Sequence, residues 1–259
     1  MLRAPALWSS GFRPFFLAAA SYGPLLLVLW YGARGGLWSA PGAWLSLPLL
    51  HAHELLFGFA AALVCGVLLT ALPSWSGAAE LRGLPLAALA LLWLAGRAAL
   101  LGAQWLPHPL VAIVDSALLP ALGAMLFWTI GSARRLLFWW TLPPLIAFAA
   151  ANIAFHFALA RGIEADAQWA LTLGVHALAF LFTLYGGLFI PAFTRRWLHA
   201  RGEPAAAILM PLEYATAAAM VAFACVDLLG APSGWLAAAA LAPAMRPSVV
   251  AVSSPAPEK

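Results

Sequence analysis

Residues 49–75 read "LLHAHELLFGFAAALVCGVLLTALPSW": two histidines and a glutamate at the mouth of a run from Leu55 to Trp75 that carries no charged side chain. A hydrocarbon layer about 30 Å thick is crossed by about 20 residues of helix, because only an intact helix satisfies its own backbone polar groups in lipid. The run is therefore read as a membrane-spanning helix over residues 52–73. Its uniform apolarity lacks the in/out alternation of a membrane β-barrel strand.

Working outward, six more runs of this kind are bounded by charge, Gly or Pro. They lie near residues 14–33, 84–103, 109–131, 136–160, 168–191 and 205–229, with a short remnant from Trp235 to Leu241. The composition agrees: 64% of the residues are hydrophobic and 8% charged, with a mean hydropathy of +0.94, where soluble domains hold roughly 45–50% apolar residues. The expectation is an all-α, polytopic transmembrane bundle of seven helices and a partial eighth over residues 1–241. The tail over 242–259, "APAMRPSVVAVSSPAPEK" with its leading residues, is rich in Pro, Ser and Ala and is expected to be disordered. The start "MLRAPALWSSGFRPFF" offers no cleavage site after a short apolar core, so the first helix is read as retained.

Arginine placement sets the orientation. Arg3, Arg13, Arg82, Arg134, Arg135, Arg195, Arg196 and Arg201 fall on the side of the N-terminus, against Arg34 and Arg161 on the other. The positive-inside rule makes the N-terminal side cytoplasmic. Basic loops facing anionic lipid also account for the pI of about 9.6. No basic tract with interleaved aromatics points to nucleic acid, and the lipid bilayer is the expected partner. Cys65 and Cys225 lie within expected helices with no CxxC or CxxCH spacing, so both are read as apolar packing residues rather than anchors of a covalent haem.

This topology gives each histidine a depth. His51, His53, His108, His156 and His176 fall in the outer part of the bundle, and His199 alone is cytoplasmic. Imidazole is the commonest side-chain ligand for transition metals, and a His in lipid normally faces the protein interior. His51 and His53 are two apart and point about 200° from one another on a helix, so they cannot both face one site, and two sites or a non-helical His51 are required if both are ligands. His53 and His156 are the preferred ligands, His51 and His176 the next. Glu54, three residues from His51, shares its face and suits a partner that fixes the His51 tautomer; Asn152 stands in the same relation to His156, four apart. Arg97 and Asp115 lie at the depth of the histidines. A buried Arg needs a counter-charge, which Asp115, Glu54 or a cofactor carboxylate would supply. Glu213, about eight residues into the seventh helix, is read as a proton-path candidate.

"GFRPFFLAA", "HAHELLFGFAAALVCGVLLTALPSWSG", "LAGRAAL", "NIAFHF" and "YGGLFIPAFTRRW", in that order over about residues 11–200, resemble the NnrS family. The resemblance implies a polytopic bacterial inner-membrane protein with haem and copper, linked to nitric oxide and denitrification. It places His51, His53, His156 and His176 in the metal-binding set; beside it, the reading of the residues sets Arg97 at the cofactor and Glu54, Asn152 and Asp115 as supports of the ligands. Members of the family run to about twelve helices, so the chain is expected to be a C-terminally truncated form that exposes an apolar flank, weakens its hold on metal or forms a homodimer. Two alternatives stand beside a nitric oxide-linked metalloprotein: a proton- or ion-coupled transporter, and an inactive fragment.

Overall fold

In a computed structural model, residues 6–38, 45–131, 136–204 and 210–230 are described, so the expected eighth helix and the tail over 242–259 lie outside the described residues. Every regular element among them is helical, and seven helical stretches are long and apolar enough to cross a membrane. The protein is a multi-pass membrane protein. Two compact units are distinguished, one up to Ala177 and one from Leu178 onward.

In the first unit, α1 (Phe12–Arg34) packs on the second span, which runs as α2 (Leu47–His53), a π-helical segment (Glu54–Ala60) and α3 (Ala61–Ser76). The span begins five residues before the expected residue 52, because Pro48 occupies its first turn, where a missing N–H costs nothing. His51 and His53 therefore stand a full turn inside the helix. Gly77 ends α3 in the left-handed conformation (φ 75°), with its N–H on the Pro73 carbonyl.

The third span is α4 (Leu84–Leu101), which packs on α5 (His108–Ser116) and α6 (Leu118–Gly131). The fourth span is thus broken after Ser116, because Pro120 has no N–H to give the Ser116 carbonyl. Asp115 sits just before the break. A 3₁₀ turn (Leu136–Thr141) leads into α7 (Leu142–Arg161), which starts with Pro143 in its first turn and packs on α5 and α6.

The helix α8 (Glu164–His199) has 36 residues, against the 24 expected over 168–191. At 1.5 Å per residue it measures roughly 54 Å, well beyond a hydrocarbon layer. Hydropathy marks only the lipid-buried part of a helix; Glu164 and Asp166 at one end and Arg195, Arg196 and His199 at the other are helical but polar. Its first half, in the first unit, packs Gly174 close to the Phe57 ring. In the second unit are the remainder of α8, where Phe189 and Phe193 stack at 5.9 Å, and α9 (Met210–Leu228).

Candidate functional site

Six polar side chains meet inside the first unit: His53 and Glu54 of the second span, Arg97 of α4, Asp115 of α5, and Asn152 and His156 of α7. None is more than 4% exposed. They lie toward the start of the second and fourth spans, toward the end of the third, and in the second half of the fifth. Antiparallel packing carries them into one layer.

Arg97 is the hub. Its two terminal nitrogens bond separate carboxylates, Nη1 to Glu54 Oε1 and Nη2 to Asp115 Oδ1. Of the partners open to Arg97 in the sequence, it takes both carboxylates. Glu54 Oε2 also accepts the Tyr22 hydroxyl from α1. The Tyr22 ring sits edge-on to Trp93 at 5.4 Å, and the Trp93 indole donates to the Gly58 carbonyl at 2.9 Å. That bond reaches the π-helical segment, where the widened turn changes the phase between His53 and the helix below it.

The second carboxylate is as fully engaged. Asp115 Oδ2 accepts from His156 Nε2 at 2.8 Å and from Asn152 Nδ2 at 3.0 Å, and lies 3.3 Å from His53 Nε2. Because the Asn152 amide donates to Asp115, its Oδ1 faces His53 Nε2, 2.9 Å away. His53 Nδ1 faces Glu54 Oε1 at 3.1 Å. Both ring nitrogens of His53 thus meet oxygen acceptors, and both donate. The resulting imidazolium and the Arg97 guanidinium balance the two carboxylates, so the cluster carries no net charge, as lipid requires of a buried ionic group.

Two supporting pairs differ from the sequence-based expectation. Glu54 holds His53 rather than His51, since the guanidinium and the tyrosine hydroxyl draw its carboxylate toward α4 and α1. Asn152 orients His53 rather than His156, and Asp115 orients His156 in its place. His51, as its 200° offset requires, turns away: it stacks on Trp30 at 4.3 Å beside a cavity of about 30 Å³ that Tyr22 and Glu54 also line. That is room for one or two waters.

His176 is half-buried on α8 and is not among the residues whose ligand atoms converge. Those are His53, Asp115 and His156, with one ligand atom of each within 4.8 Å of the others. Sequence reasoning had no means of placing Tyr22, Trp93 or Gly58 here. It set His108 in a loop, whereas His108 is the first residue of α5 and its ring lies 5.8 Å from that of His156. Its signal was visible: a histidine followed by Pro109, at the head of the span that carries Asp115.

The arrangement fits a metal by one test in particular. His156 Nδ1 is buried and has no hydrogen-bond partner among the described residues. A buried polar atom left unpaired costs about 1–3 kcal/mol, and a lone pair on imidazole nitrogen suits Cu, Fe or Zn. Comparison with known proteins gives one family: the model described as NnrS protein matches residues 6–249. No curated protein and no solved structure matches.

Proposed function

We propose, because this chain belongs to the NnrS family, that it is a haem- and copper-binding protein of the bacterial inner membrane acting in the response to nitric oxide. The observation that carries the site assignment is the charge-balanced cluster in which one imidazole nitrogen, His156 Nδ1, is buried with no hydrogen-bond partner among the described residues; Arg97 Nε is also without one. In this reading the cofactor-binding region lies at His156, and His53, Arg97, Asp115, Asn152 and Glu54 form the charge-balanced layer behind it that fixes the His156 ring. A His-ligated iron or copper with an open position would supply the affinity for an uncharged diatomic gas. The chain's own residues fix the ring orientations and neutralise the buried charge.

Purified in detergent, the full chain is expected to show a Soret band and to contain iron and copper by metal analysis. A colourless, metal-free protein with intact helicity would refute this reading.

The orientation proposed with it, N-terminus inside, has its own check. In a background with Cys65 and Cys225 replaced by Ser, a cysteine at Trp105, which is 77% exposed between α4 and α5, is expected to react with an impermeant maleimide in intact cells. One at Arg196 is expected to react only after lysis. The reverse pattern would invert the topology and put the cluster near the cytoplasmic face.

A further inference from the structure

The buried histidines are not equivalent as ligands. His53 Nδ1 donates to Glu54 Oε1 at 3.1 Å and His53 Nε2 to Asn152 Oδ1 at 2.9 Å. The Asn152 amide cannot be reversed to free that nitrogen, because its Nδ2 is committed to Asp115 Oδ2 at 3.0 Å. No lone pair on His53 is left for a metal. Asp115 is engaged on both oxygens, with Arg97 on Oδ1 and hydrogen bonds from His156 and Asn152 on Oδ2, which also lies 3.3 Å from His53 Nε2.

His156 is built the other way round. Its Nε2 donates to Asp115 Oδ2 at 2.8 Å, which leaves Nδ1 as the unprotonated nitrogen with its lone pair exposed to the interior. The ring is only 2% exposed, so water does not satisfy that atom from the surface. A carboxylate holding one nitrogen of an imidazole while the other binds a metal is a recurrent way of fixing tautomer and ring direction and of raising ligand basicity. The His108 ring stands 5.8 Å away, centre to centre. Two imidazoles that share an ion through nitrogens about 2.0 Å from it have ring centres roughly 5–6 Å apart.

We infer that His156, through Nδ1, and His108 bind a copper-class metal ion, and that His53 is not a ligand but the cation that closes the network behind Asp115. The inference rests on the metalloprotein reading above and refines which residues carry it. Asp115 then acts as a positioning residue: it touches His156 and not the ion.

The test uses the full chain in detergent, ¹⁵N-labelled at histidine, with Cu(I) as probe. In the unaltered protein the imidazole resonances are expected to show one copper-bound ring ligated through Nδ1 that keeps its Nε2–H. A second ring is expected to be protonated at both nitrogens and unchanged by copper. Among variants, His156→Gln keeps a donor for Asp115 but lacks the Nδ1 lone pair. It and His108→Ala are expected to lower copper retained per folded protein at least tenfold, whereas His53→Gln is expected to lower the melting temperature and keep retained copper within about twofold. Ligation of the buried ring through Nε2 would overturn the inference even if every variant failed to fold, and so would His53→Gln losing copper while His108→Ala keeps it. In both cases the metalloprotein reading survives, because copper is still bound. A protein that takes up neither copper nor iron overturns that reading, and this inference with it.

Discussion

Arg97→Met is expected to destabilise the protein by about 3–5 kcal/mol, the cost of deleting one partner from a buried ion pair. That is roughly a 10²–10⁴-fold shift in the folding equilibrium against a total stability of about 5–15 kcal/mol. The guanidinium is 4% exposed and supplies a separate nitrogen to each of two carboxylates. Without it, Glu54 and Asp115 are two buried carboxylates, neither more than 3% exposed, and the His53 imidazolium neutralises only one of the two charges. Arg97→Lys is expected to fall between: it keeps the charge, but one ammonium on a shorter reach cannot reproduce the planar fork. The double change Arg97→Met, Glu54→Gln is expected to recover much of the loss, since it removes one charge of each sign and leaves the His53 imidazolium beside Asp115. Stability is read from the melting temperature in detergent and the fraction of monodisperse protein. Wild-type stability in Arg97→Met would mean that the cluster is hydrated and that its charge balance does not hold the fold.

The depth of each residue in its helix was legible in the sequence. Charge-free runs mark the spans, and once the spans alternate, His53, Arg97, Asp115, Asn152 and His156 must share a layer. What a side chain does within that layer was not legible. Spacing along one helix paired Glu54 with His51 and Asn152 with His156, yet the stronger partners come from other helices: Arg97 and Tyr22 for Glu54, His53 and Asp115 for Asn152. Same-face proximity at i, i+3 or i, i+4 is worth only a few tenths of a kcal/mol, and a buried charge-assisted contact across helices outweighs it. The offset of His51 from His53 was predictable, because it depends on one helix alone. The π-helical segment was not, since "ELLFGFA" has no composition that distinguishes it from α-helix. The same holds for Tyr22, one of three hydroxyls in its apolar run, whose depth could be counted but whose partner could not. The length of α8 escaped for a different reason, as apolarity reports where lipid ends and not where hydrogen bonding does.

Gly58→Ala is expected to destabilise the protein by about 1–3 kcal/mol, the usual cost of forcing a methyl into a filled core, although Ala in a helix is ordinarily favoured over Gly by roughly 0.5–1 kcal/mol. A Cβ at this position would lie 2.7 Å from Tyr22 Cε1, 2.9 Å from Arg97 Nη1 and 3.2 Å from Glu54 Oε2. The backbone has little freedom to retreat, because the Gly58 carbonyl accepts the Trp93 indole at 2.9 Å. The side chains have little more: the tyrosine is tied by its hydroxyl and the guanidinium by Nη1 to the same carboxylate, so moving one from the methyl strains the other. Glycine at 58 is thus what lets α1, the π-helical segment and α4 close around Glu54. Gly186→Ala is the control, since a Cβ there meets nothing within 4 Å, and it is expected to leave the melting temperature unchanged or slightly raised. A double-mutant cycle isolates the cause. If the methyl clashes with the tyrosine ring, Gly58→Ala costs less in a Tyr22→Ala background, with a coupling of about 0.5–3 kcal/mol as found for residues in contact. Equal behaviour of Gly58→Ala and Gly186→Ala would show that the segment yields freely around residue 58, and that the packing of Tyr22 and Arg97 against it does not set the geometry of Glu54.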